Sequence, residues 1–243
     1  MENPVMTQQL ILPKLPLITP VDHLISGYDQ PTLAKIRETT GYRLCSASQI
    51  ENPAANLDAL ERKQMKATMD WVHQFIMRPH PKLGRAGVVC PYVKLSLDAS
   101  IFYLSVANLE NPRRYDEIFN IMNTHAEIFA KMEPKSGPLE NLRVLMVLVP
   151  NGKDGVLSHA QHCKQLKTEM MERDITVGQF FPTWNPIKYL KSKFFPNQPP
   201  FCMYTMRAFI RSDWMFVNGE PEWRKVYLEK FGSPPDPKQG FTL

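Results

Sequence analysis

The chain reads as an α+β protein, a two-layer sandwich of ferredoxin-like character with a mainly antiparallel sheet and helices on one face. Three observations predict this. Amphipathic helical stripes alternate with a few short β-favouring runs. Several of those runs are compatible with antiparallel neighbours. No G-x-G-x-x-G or P-loop marks a doubly wound nucleotide-binding sheet. The 243 residues are 43% hydrophobic and 22% charged with mean hydropathy −0.31, which suits a single globular domain over residues 21–243 preceded by an arm over 1–20. That composition excludes disorder, collagen and coiled coil. No stretch approaches the roughly 20 apolar residues needed to cross a bilayer, and Met1-Glu2-Asn3-Pro4 has neither the basic nor the apolar region of an export signal. A cytoplasmic protein with no membrane partner is expected.

Taken in order, Pro4, Pro13, Pro16 and Pro20 punctuate the arm. Short helical segments are expected at Val21–Ser26 and Thr32–Thr39, then an irregular stretch over Cys45–Pro53. Asn56 is read as the N-cap of a helix to about Met77, with Leu57, Leu60, Met65, Met69, Val72 and Ile76 on its apolar face and Pro79 and Pro81 beyond its end. Val93, Leu95 and Leu97 alternate with polar residues, and Ile101–Ala107 is an apolar run, so a pair of strands is expected there. Asn111-Pro112 opens a helix to about Met132, with the stripe Tyr115, Ile118, Phe119, Met122, Ala126 and Phe129. Leu142–Val149 reads as a buried strand, Val156–Arg173 as a helix, and Ile175–Phe181 and Phe201–Ile210 as strands. Pro221 opens a last helix, closed by Gly232.

Lys and Arg exceed Asp and Glu by five, giving a pI near 9.0. The basic residues are scattered in pairs among carboxylates and carry no recognition-helix, zinc-finger or aromatic nucleic-acid motif, so nucleic acid is not an expected partner. The four cysteines, Cys45, Cys90, Cys163 and Cys202, are far apart without C-x-x-C spacing and read as reduced thiols.

The most unusual stretch is His80-Pro81-Lys82-Leu83-Gly84-Arg85-Ala86-Gly87-Val88-Val89-Cys90-Pro91-Tyr92. Glycines allow close backbone approach to a ligand, Pro91 forces Cys90 into an extended conformation, and Arg85 offers a cationic fork suited to a carboxylate or propionate. A guanidinium or a protonated His80 near Cys90 would favour its thiolate, the form that acts as nucleophile or metal ligand. The bland alternative is a tight loop with Cys90 packed beneath it.

The pattern His-Pro-x-Leu-Gly-Arg-x-Gly-x-Val-Cys-Pro-aromatic resembles the start of a domain-of-unknown-function family found in bacterial biosynthetic gene clusters. Further matches are Val147-Leu148-Val149-Pro150, Val177-Gly178-Gln179-Phe180-Phe181-Pro182, Met206-Arg207, Asp213, and Gly219-Glu220-Pro221-Glu222-Trp223 through Phe231-Gly232, together spanning Met65 to Gly232. The Cys-Pro-aromatic element is also similar to YqcI/YcgG-type proteins, some of them haem-dependent N-hydroxylases. That resemblance implies a haem b on Cys90, with Arg85 or His80 near a propionate, and iron-dependent monooxygenase or peroxygenase chemistry in secondary-metabolite biosynthesis. The partners would be a small amine- or amino-acid-like substrate and an electron donor or peroxide. Phe180-Phe181-Pro182 and Arg207-Ala208-Phe209 stand where the family pattern has Phe-His-Pro and Arg-His-Met.

Ser158-His159-Ala160-Gln161-His162-Cys163 places His159 and Cys163 on one helical face with His162 beside them, an alternative metal set to which His125 is a further candidate. Against it, the same face carries Val156, Leu166 and Met170, as a core stripe would. The aromatic, proline-rich stretch Pro182–Pro200 either roofs a cofactor pocket or buries against a second copy of the chain in a homodimer. A cofactor-free binding or accessory protein with a structural Cys90 is the alternative function.

Overall fold

The computed structural model describes residues 35–38, 40–81, 87–111, 114–157, 159–182 and 199–235. The expected arm and the Val21–Ser26 segment lie outside them. Of Thr32–Thr39, the described residues 35–38 are helical.

The elements are β1 (Leu44–Ser46), α1 (Ala59–Trp71), α2 (Pro91–Asp98), β2 (Phe102–Val106), α3 (Asp116–Lys131), β3 (Val144–Val149), α4 (Asp154–Leu157), α5 (Ala160–Glu172), β4 (Ile175–Phe180), β5 (Cys202–Ala208), α6 (Trp214–Val217) and α7 (Pro221–Phe231). The strands form one sheet in the order β1-β2-β3-β5-β4. The β2–β3 pair is parallel and joined by α3, and the β1–β2, β3–β5 and β4–β5 pairs are antiparallel. The α+β class and the mostly antiparallel sheet are therefore as the sequence predicts.

The helices, however, cover both faces of the sheet. Leu145, Val147 and Val149 of β3 and Tyr204 and Met206 of β5 pack with Ile118, Met122 and Phe129 of α3 and with Leu166 and Met170 of α5. On the opposite face Val144, Met146 and Leu148 of β3 and Met203 of β5 pack with Met65 and Trp71 of α1, with Val72, Phe75 and Ile76 beyond its end, and with Val93 of α2. A strand whose residues are apolar on both sides needs cover on both sides.

Local chemistry accounts for the other departures. Asp58, not Asn56, caps α1: its carboxylate accepts from the Glu61 backbone N–H at 2.8 Å, and the Glu61 carboxylate accepts from the Asp58 N–H at 3.1 Å, a reciprocal capping box. Asn56 instead takes a positive φ of 51°. Leu60, expected on the apolar stripe, is 61% exposed, because Met65, Thr68 and Trp71 set the buried face. The helix runs on as a π-helical turn over Val72–Ile76. The Val93–Leu97 alternation is a helix rather than a strand. Pro91 sits at its first turn, Val93 and Ser96 are buried one turn apart, and the Ser96 hydroxyl points at the Leu142 and Tyr92 carbonyls. The stretch expected to be irregular begins with β1, whose Leu44, Cys45 and Ser46 pair with Ser105, Leu104 and Tyr103.

The C-terminal helices form a third cluster in which Trp223, Val226 and Tyr227 of α7 pack with Val217, Phe209 and Met171. It is pinned to β5 by a buried ion pair. Arg207 donates through Nη1 to Asp213 Oδ2 at 3.0 Å and through Nη2 to Oδ1, and Asp213 also accepts from the Ile210 N–H at 3.0 Å. Asp213 is 1% exposed, so a lost partner leaves a bare buried charge. Arg207→Ala is expected to destabilise the fold by about 3–5 kcal/mol in denaturant unfolding, and a loss below about 1 kcal/mol would mean the pair behaves as a surface one.

Candidate functional site

The Cys90 loop closes on the end of the α1 helical run. The Cys90 N–H donates to the Ile76 carbonyl at 3.0 Å, the Val89 N–H donates to the Arg78 carbonyl at 3.0 Å, and Pro79 bridges to Val88. Residues 82–86, Arg85 among them, lie outside the described residues. Cys90 is the N-cap residue of α2 in an extended conformation (φ −127°, ψ 110°), as the following proline requires.

The four thiols divide sharply. Cys45, Cys163 and Cys202 are buried and donate to the carbonyls of Ser46, Leu157 and Gly152 at 3.3, 3.3 and 3.6 Å. Burial pushes the Cys45 thiol up to about 11 and the Cys163 thiol up to about 12, so both stay protonated at neutral pH. Cys90 alone is half-buried, and its sulfur makes no hydrogen bond among the described residues.

Cys90 packs at the edge of the cluster that holds Trp71, Phe75 and Phe180. These rings form a row: Trp71 lies 6.1 Å from Phe75 and meets Phe180 edge-on at 5.3 Å, and Phe75 meets the His80 ring edge-on at 5.7 Å. Phe180, the last residue of β4 and two before the start of the aromatic stretch, packs on the same cluster as Cys90. The structure thus brings His80 and Cys90, already neighbours in one sequence stretch, to the cluster that holds the end of β4.

A polar bracket holds the other side of α2. Arg207 lies over the Tyr92 ring at 5.4 Å, and the Tyr92 and Ser212 hydroxyls are 3.1 Å apart. In the sequence, Tyr92, Arg207 and Asp213 stand out only as parts of a pattern. Their partnership spans more than a hundred residues, and no local period signals it.

The alternative ligands do not gather as a set: His125 and Cys163 are committed elsewhere, and only His159 and His162 stand close. His125, on α3, is buried with both ring nitrogens occupied, Nδ1 at 2.7 Å from the Ile121 carbonyl and Nε2 at 2.9 Å from the Ser105 hydroxyl. It is a core residue that links α3 to β2. Cys163 is buried and donates to the Leu157 carbonyl, whereas His159 is exposed. His162 stacks on Tyr115 at 3.8 Å and lies 4.8 Å from the His159 ring. Its pKa is lowered by burial and then by the neighbouring His159. Among the described residues no three His, Cys, Asp or Glu side chains gather as a metal site.

Burial brings the His125 pKa down to about 4 from an ordinary value of 6.5. The unfolded chain therefore takes up this proton first, and stability complete above pH 6.5 is lost as the pH falls toward 4. The loss should reach about 3 kcal/mol for this group, read as a falling urea midpoint, and His125→Gln should flatten that slope.

No curated protein and no solved structure matches the chain. A family model, described as domain of unknown function DUF6875, matches residues 65–240. The match runs from the core of α1 through α7 and takes in the Cys90 loop, every strand but β1, and the Arg207–Asp213 bracket. The chain is a member of the DUF6875 family.

Proposed function

We propose that the protein is a haem-dependent oxygenase or peroxygenase acting on a small amine- or amino-acid-like substrate, with Cys90 as the proximal thiolate. The observation that carries the reading is the contrast among the thiols. Three are buried and donate to carbonyls, while the fourth keeps surface, makes no such bond, and sits on a proline-fixed helix start beside an aromatic row.

This donor set suits the group. A thiol that keeps accessible surface is open to ligation, and Phe180, which keeps surface while Trp71 and Phe75 are buried behind it, offers apolar contact to a flat macrocycle. His80, half-exposed at the end of the row, and Arg85 are the residues that would meet its propionates. When bound, a thiolate-ligated haem supplies activation of dioxygen, with two electrons and two protons from a donor, or of peroxide, toward oxygen insertion into the substrate. The protein's share is positional. Pro91 fixes the Cys90 backbone, the Cys90–Ile76 bond ties it to the helix end, and Arg207 over Tyr92 holds the first turn of α2.

A second reading, a cofactor-free binding protein, is favoured by Met215 and Phe216 of α6 and Leu228 of α7, which are exposed at 48%, 44% and 36%.

Expression with added haem followed by a visible spectrum separates the two. The oxygenase reading expects a Soret band whose reduced carbon monoxide adduct sits at the long wavelength of thiolate ligation. Cys90→Ser should shift that band or lose the haem, and Cys163→Ser should do neither. Protein that stays colourless, or a band indifferent to Cys90→Ser, would remove the proposal and leave the binding reading.

A further inference from the structure

The start of α5 carries two histidines that none of the preceding chemistry uses. His159 is the helix N-cap residue, exposed, with no side-chain capping bond, and His162 lies on the first turn. The His162 ring is held flat, stacked on Tyr115 at 3.8 Å and 15°, and Tyr115 is in turn wedged edge-on against Phe119 at 5.0 Å. Tyr115 is only 8% exposed, and its hydroxyl has no hydrogen-bond partner among the described residues. The two imidazole centroids stand 4.8 Å apart at an interplanar angle of 47°.

We propose that His159 and His162 form a two-imidazole site for a divalent transition metal, with Tyr115 as the positioning residue that fixes the His162 ring. The spacing fits. With metal–nitrogen bonds of about 2.0–2.1 Å and roughly 1.1 Å from ring nitrogen to ring centre, one shared ion lies about 3.2 Å from each centroid. The observed 4.8 Å separation then subtends an angle of about 100° at the ion, between square-planar and tetrahedral values. The donor set also names the class of ion. The first turn of α5 holds no acidic residue, and Cys163, the next residue along, is committed to the Leu157 carbonyl. Two nitrogens without carboxylate suit Cu²⁺, Ni²⁺ or Zn²⁺ rather than Mg²⁺ or Ca²⁺. The remaining coordination positions belong to water or to an exogenous ligand. This site stands apart from Cys90 and holds whether or not haem binds there.

The test is calorimetric titration of Zn²⁺, Ni²⁺ and Cu²⁺, each alone, into chelator-stripped, tag-free full-length protein. One ion per chain is expected. His159→Ala and His162→Ala should each weaken binding by more than about tenfold, the least that loss of even an outer-shell partner costs. Cys163→Ser and His73→Ala, the latter an exposed histidine past the end of α1, should leave binding unchanged. Tyr115→Phe keeps the stacked ring and should keep the site. Absence of a saturable single site, affinity indifferent to the His159 and His162 substitutions, or equal loss with His73→Ala would overturn the proposal. Circular dichroism checks that each variant is folded, and His159→Gln, at an exposed position, carries the test even if His162→Ala does not fold.

Discussion

Strand β3 is the constraint on which the architecture rests. All six of its residues, Val144 to Val149, are buried, and they alternate between the two large apolar clusters. A strand of this kind is stable only when roofed twice, so α3 and α5 cover one face while α1 and α2 cover the other. Its parallel partner β2 demands a long crossover, which α3 supplies, and its antiparallel partner β5 brings the C-terminal half back to the centre of the sheet. Each of these requirements is also a placement. Once α2 serves as part of the second roof, the loop entering it lies at the edge of that cluster, and this puts Cys90 against the same core that holds Trp71 and Phe75.

Much of this was legible because it is local. The β3 run, the α3 stripe, the Pro221 start and the Gly232 end of α7 all carry signals within a few residues, and Gly232 does adopt the positive φ of 76° that its position suggests. What escaped reading depends on distant partners. Val93, Leu95 and Leu97 alternate as a strand would, but burial of Val93 and Ser96 and a hydroxyl reaching Leu142 decide for helix. β1 is three residues long and exists only because β2 lies beside it. Two layers became three because an unbroken apolar strand states that it is buried without saying by what.

The region around Cys90 follows the same division. Its proline, its extended backbone and the importance of the loop were visible in thirteen consecutive residues. The aromatic row and the Arg207–Tyr92 contact were not, since they join residues from four separate elements. Similarly, the histidine-rich start of α5 could be seen as a cluster of ligand types, but not which of them face one another. Stacking on Tyr115 selects His162, and the helix-to-core geometry withdraws Cys163.

Lys167 of α5 has an amine enclosed between the Trp223 ring, 4.1 Å away, and the Phe216 carbonyl, which accepts its N–H at 3.2 Å. Burial outweighs the nearby Asp213 carboxylate and brings its pKa from 10.5 down to about 8. A chain released from this enclosure would take up a proton that the folded one declines between those two values, so in that interval rising alkalinity favours the native state through this residue. The same seat that anchors the carboxy-terminal helices therefore gives the protein a side chain that tolerates basic surroundings better than mildly acidic ones.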